Sequence, residues 1–238
     1  MFRIPVIRKP EKLLPQDRTA VVGLSSGCGV SFVAGLLACG IAALPSPDGP
    51  ECRCTLAELG TPYFYTALNI EKRFADGSFV FYEDMLAARQ SLLAVSNSFR
   101  GLDLLLRRPD AEGTAPSICM CKMPGQHVVF DLSGFSEDAL DDVLPEADRI
   151  FIVADPLPSK LIPAEGRYRR LVQKYPDARI VVNKQNRGVH KAELRRFLGT
   201  GDVIDIPFAA PDLVYKAEYG CELFADTDQG KDLRKLLV

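Results

Sequence analysis

A doubly wound α/β fold, with a mostly parallel sheet and helices on both faces, is predicted by three features of this 238-residue chain. Short, continuous apolar runs recur at Ala20–Gly23, His127–Leu132, Arg149–Ala154 and Arg179–Asn183, as expected of strands covered on both sides. Stretches of helical spacing separate most of them, which calls for parallel strands joined by right-handed crossovers. The first run passes through a glycine loop straight into an apolar helix. The composition agrees: 47% apolar, 25% charged and a net charge of -2 describe an ordinary globular chain with no global basic signal for nucleic acid.

Taken in order, residues 1–18 read as an extended arm with scattered prolines and charge, and 19–238 as a single domain. The opening fifteen residues lack the apolar core of a secretory signal, and seven cysteines then imply reduced thiols in the cytoplasm. After the strand Ala20–Gly23 comes the helix Ser31–Ala43, ended by the proline-rich turn 45–50. Its apolar run, Phe32 to Leu44, is too short to span a bilayer. Cys52–Leu59 reads as a second strand, stopped by Gly60. Residues 61–115 form a variable or lid-like segment, with a turn and short aromatic helix over 61–74 and helical spacing over 83–96. Ile118–Lys122 and His127–Leu132 read as strands joined at Met123-Pro124-Gly125. The rest alternates: helix Ser136–Val143, strand Arg149–Ala154, helix Ser159–Tyr175, strand Arg179–Asn183, helix Val189–Leu198, strand Val203–Ile206, then closing helices Pro211–Tyr219 and Gly230–Leu237.

The chemistry concentrates in Gly23-Leu24-Ser25-Ser26-Gly27-Cys28-Gly29-Val30-Ser31. Strand, glycine loop and helix start are the layout of a P-loop, whose backbone N–H groups and helix N-terminus face a phosphate. A working loop needs Gly-Lys-Ser or Gly-Lys-Thr, and here the triplet is Gly29-Val30-Ser31. About a hundred residues later an apolar strand ends in Asp131, where NTPases place a carboxylate beside the loop hydroxyl to hold magnesium.

Followed by Ala147–Val153, Val181-Val182-Asn183-Lys184 and Ile206-Pro207-Phe208, these residues resemble the ParA/MinD family of deviant Walker-A ATPases, over roughly 19–225. The resemblance places the family's Lys-Gly-Gly-x-Gly-Lys-Thr on Ser25-Ser26-Gly27-Cys28-Gly29-Val30-Ser31, so both lysines are missing: Ser25 replaces the one that reaches across a dimer, and Val30 the loop lysine. It implies Glu58 and Asp131 as the catalytic carboxylate candidates, Asn183 on the adenine side, and magnesium at Ser31 and Asp131. The expected cofactor is ATP or ADP with Mg2+, with an empty, vestigial loop as the alternative. It further implies a homodimer, and protein partners belonging to a partitioning or assembly machine. Atypical members such as the TadZ/CpaE proteins, which place pilus machinery, also depart from the consensus loop. The leading expectation is a cytoplasmic positioning or scaffold protein that hydrolyses little or nothing, with partner choice in 61–115 and DNA or membrane contact unsupported.

Other readings stay open. An active ATPase could borrow a cation from outside the loop, such as Lys184 or Arg187. The pairs Cys52/Cys54 and Cys119/Cys121 could hold a metal or act in redox chemistry, although on a strand this spacing also suits a small apolar face. His127 and His190 have no partner pattern. The basic residues of 160–174, including Arg167, read as a solvated helix face. The C-terminal Leu233, Leu236 and Leu237 favour docking on the domain over peripheral membrane attachment.

Overall fold

The computed structural model describes residues 17–45, 54–95 and 97–238. Along the chain the strands are β1 Asp17–Gly23, β2 Cys54–Glu58, β3 Ser98–Phe99, β4 Leu102–Leu105, β5 His127–Asp131, β6 Arg149–Ala154, β7 Arg179–Gln185 and β8 Val203–Pro207. They make one sheet in the order β3-β4-β2-β5-β1-β6-β7-β8, parallel throughout except for the β3–β4 edge. This is the doubly wound α/β architecture that the apolar runs predict.

Side chains alternate across the sheet, so each strand feeds two cores. Val21, Leu56, Val129, Val153 and Val181 pack on one face with helix α1, Val30–Ala42. Ala20, Ala57, Phe130, Ile152 and Val182 pack on the other. α1 is apolar nearly all round because it is enclosed by the sheet, Phe64, Phe224 and the C-terminal Leu233 and Leu237. Those last two leucines, carried by and just beyond α11 Asp228–Arg234, are therefore spent on the core, while Leu236 is exposed. No helix among the described residues is long and apolar enough to cross a membrane.

Several elements differ from the expectation. Ile118–Lys122 is helix, not strand. Periodicity does not separate these states in so short an apolar run. The neighbour of β2 is instead β4, inside the segment read as a lid. A β3–β4 hairpin leads into β4, and its two-residue turn places Arg100 and Gly101 at φ 49° and 82°, the left-handed pair that a twisted hairpin requires. The helix expected over 159–175 is two, Pro158–Leu161 and Glu165–Lys174, because Pro163 can neither donate to the preceding turn nor clear its carbonyl. β1 begins at Asp17, which pairs in register with His127 and forms an ion pair with Arg149, so the strand takes in Asp17 and Arg18 from the expected arm. Residues 1–16, the turn beyond Pro45 and Cys52 lie outside the described residues. Cys119 is buried and Cys121 exposed on their helix. Among the described residues no group of three or more His, Cys, Asp or Glu side chains gathers to hold a metal ion.

One side chain ties the variable segment to the sheet. Arg107 is 3% exposed. It donates to the carbonyls of Gly60, Gly113 and Glu112 and pairs with Glu83 at 3.0 Å. Arg107→Met is expected to cost about 3 kcal/mol by orphaning these acceptors, read as a lower urea midpoint with unchanged m.

Candidate functional site

The loop between β1 and α1 wraps the floor of a cavity of about 580 Å³. Its other walls are Thr61–Tyr63, Leu132–Phe135 and Arg167. Gly29 caps α1 at φ 97°, ψ 38°, without a side-chain cap and with no acidic residue in the first turn. The amides of that turn are thus left to an external acceptor, and the helix dipole favours an anion there. A Cβ on Gly29 would lie 2.2 Å from the Asn183 amide nitrogen, so both backbone conformation and space exclude larger residues.

Three side chains from outside hold the loop by its carbonyls. Lys160 Nζ donates to Ser26 O at 3.2 Å, Lys184 Nζ to Gly27 O at 2.6 Å, and Asn183 Nδ2 to Cys28 O at 2.9 Å. Because a trans peptide points its N–H opposite its C=O, fixing successive oxygens from one side fixes the amide directions on the other. Lys184 adopts φ 61° to do this, and its ammonium also meets Asp155 at 2.9 Å. Asp155 is 2% exposed. Val30 is buried beneath the loop, close enough to Gly23 that a Cβ there would meet its methyl at 2.7 Å. Burial also pushes the Cys28 thiol up, so it is a packing group.

The two carboxylates are neighbours in register across β2 and β5, yet they sit differently. Glu58 accepts from the amides of Tyr63 at 2.7 Å, Phe64 at 2.9 Å and Arg107 at 3.2 Å. Both its oxygens are thus engaged by the chain that crosses in front of the strand ends. Burial, opposed by those amides and reinforced by Asp131, raises its pKa to about 7. Asp131 Oδ1 accepts from Ser133 N at 2.8 Å, while Oδ2 is buried with no partner. Burial raises its pKa too, against the pull of the Ser31 and Ser133 hydroxyls. An orphaned carboxylate oxygen facing a serine hydroxyl fits a hard divalent cation, which takes oxygen ligands.

Past Gly29 and Phe32 lies a second cavity of about 380 Å³, lined by Asn183, Lys184, Phe208, Val214 and Tyr215 among others. Its lining is largely apolar and shares Gly29 and Phe32 with the first cavity, which suits an apolar ring. Ser25, Ser26, Gly27, Cys28, Gly29, Val30 and Ser31 line the first cavity, and Asn183 the second. Arg187 is exposed and lines neither. Lys160, Asp155 and Arg167 were not anticipated. Their basic stretch reads as a solvated face, and only the packing of the two helices turns Lys160 and Arg167 towards the loop.

Lys184→Met is expected to leave the Asp155 charge buried alone and cost about 3 kcal/mol. Asp155→Asn in the same chain should recover most of that loss in thermal unfolding. The pH dependence follows from Glu58. Its ordinary pKa is 4.5 and its folded one about 7, so the folded state holds the proton more tightly. This contribution is complete below about pH 4.5 and is lost as pH rises through about 7, a change of about 3 kcal/mol. Glu58→Gln should flatten the stability profile within that window, measured by urea titrations at half-unit steps.

No protein-family model matches the sequence, and a search of curated proteins by sequence finds no match. Solved structures do match. A putative plasmid partition protein of Borrelia burgdorferi bound to AMPPNP superposes with a TM-score of 0.70 at 14% identity, covering 94% of this chain and 97% of that one. MinD of Aquifex aeolicus gives 0.67 at 16%, covering 93% and 95%, and a ParA family ATPase of Chlorobium tepidum gives 0.65 at 16%, covering 93% and 98%. MinD also appears as a MinC:MinD complex from Aquifex aeolicus, at 0.70. The backbone of this chain therefore has the ParA/MinD-like P-loop fold.

Proposed function

We propose that this chain is a degenerate ParA/MinD-like protein that binds an adenine nucleotide and hydrolyses it little or not at all. In this reading the bound nucleotide sets a conformation that protein partners recognise. The observation that carries it is the loop itself: it keeps the cradle shape through Lys160, Lys184 and Asn183, while Val30 is buried where the catalytic cation would stand. Phosphoryl transfer relies on positioned charge at the transferring group, and losing one such interaction costs roughly 3 kcal/mol or more of barrier. Binding needs less, since the amide cradle, Ser31 and Asp131 remain.

In this reading the phosphates occupy the first cavity and the base the second, with Asn183 between them. Magnesium, where it binds, is held by Ser31 and Asp131 and would neutralise phosphate charge. That proteins sharing this fold are bound to AMPPNP or complexed with Mg-ADP supports an adenine nucleotide with magnesium as the ligand. The role is positioning or scaffolding in a partitioning or assembly machine, as a homodimer formed through the loop face. Partner choice would lie in 61–115, whose Thr61–Tyr63 line the cavity. A lysine borrowed for catalysis is the weaker reading, because the Lys184 ammonium is spent on Gly27 O and Asp155.

Calorimetric titration with ATP and ADP, with and without magnesium, tests this. Micromolar, magnesium-dependent binding is expected. Phosphate release should be indistinguishable from that of Asp131→Ala. Turnover that Asp131→Ala abolishes would establish an ATPase instead.

A further inference from the structure

The geometry points to Arg167 as the cation that stands in for the missing loop lysine: its guanidinium, held between the start of the loop and Phe135, binds the phosphate groups of the ligand. This rests on the anion-binding reading of the same cavity. Arg167 lines that cavity from Glu165–Lys174. It is half-buried, and its Nε and Nη2 donate to Gly23 O and Phe135 O, both at 3.0 Å. Those two carbonyls belong to the ends of the segments that frame the site, so the planar fork is fixed in place. Nη1 has no acceptor among the described residues, and no carboxylate lies within ion-pair distance. Its helix neighbours behave otherwise: Arg169 pairs with Glu165, and Arg170 with Glu137 and Asp141.

Glu137 acts on Arg167 only beyond ion-pair distance, being paired with Arg170, and a half-buried guanidinium so weakly compensated is costly unless an anion completes it. Lys160 repeats the pattern at the loop's edge, bonded to Ser26 O and to no carboxylate. Open first-turn amides of α1 and the Arg167 guanidinium thus line one volume, and the unpartnered Asp131 Oδ2 is buried directly behind its wall residues Leu132 and Ser133. Together they describe a site for an anion accompanied by a cation, which is the chemistry of a polyphosphate with its metal. Val30 withdraws charge from the loop side, and Arg167 returns it from the Leu132–Phe135 side.

The test is calorimetry of the full chain with ATP and with pyrophosphate, each with magnesium, using wild type, Arg167→Gln and Arg167→Lys. Arg167→Gln should weaken binding at least tenfold, and Arg167→Lys should recover most of it by restoring the charge. A merely structural role would weaken both variants alike, with matching losses in melting temperature, since lysine cannot reproduce the two-carbonyl fork. That result overturns the proposal. Unchanged affinity in Arg167→Gln also overturns it, while leaving nucleotide binding intact. Failure of wild type to bind either ligand at millimolar concentration overturns both this proposal and the nucleotide reading. ATP binding much tighter than pyrophosphate assigns the nucleotide as ligand, and equal affinities assign an inorganic polyphosphate.

Discussion

The loop depends on its carbonyls being held from outside. A glycine-rich turn has many conformations of similar energy, and within Ser25–Gly29 a single backbone bond, Cys28 N to Ser25 O at 3.3 Å, constrains it among the described residues. Selection comes from Lys160, Lys184 and Asn183, which reach in from the chain after β6 and from β7. They can do so because β1, β6 and β7 lie side by side in register, with Gly23 level with Val153. The sheet order thus sets the shape of the site. Asp155 completes the arrangement by compensating one of the two ammonium groups.

The same register explains why two adjacent acids have separate fates. Glu58 and Asp131 are cross-strand partners at the carboxyl ends of β2 and β5, the edge where open α/β sheets bind ligands. The chain leaving β2 folds back immediately, and its amides at Tyr63 and Phe64 engage Glu58. Gly60 makes the turn feasible, since a Cβ there would stand 2.1 Å from Ser133 O. Glu58 therefore organises the wall of the cavity, while Asp131, with one oxygen unspent, keeps capacity for a ligand.

Charge reaches the cavity from outside the loop. The segment Gly23–Ser31 carries no cationic side chain of its own. In three dimensions Arg167 faces the same volume from another helix. The distinction matters because electrostatic stabilisation depends on where a charge sits relative to the developing transition state, whereas attraction of an anion depends mainly on its proximity.

The fold was legible in the sequence by itself. Covered strands show as continuous apolar runs, the glycine loop marks the β1–α1 junction, and alternation with helices fixes a parallel sheet. The placement of the loop residues at the β1–α1 junction, and of Asp131 and Asn183 on their strands, was legible too, because each marks an apolar strand or punctuates a turn. The tertiary structure decided the rest. Ile118–Lys122, expected as a strand, is helix, and Leu102–Leu105, given no element, is a strand, because short apolar runs carry no period of their own and burial, a property of neighbours, settles them. Lys160 and Arg167 escaped because a charged residue on a helix face looks the same whether it meets solvent or a loop carbonyl, and Asp155 because nothing local shows that it meets Lys184. Local sequence fixes which groups a chain can offer, and only packing of segments more than a hundred residues apart fixes what each group meets.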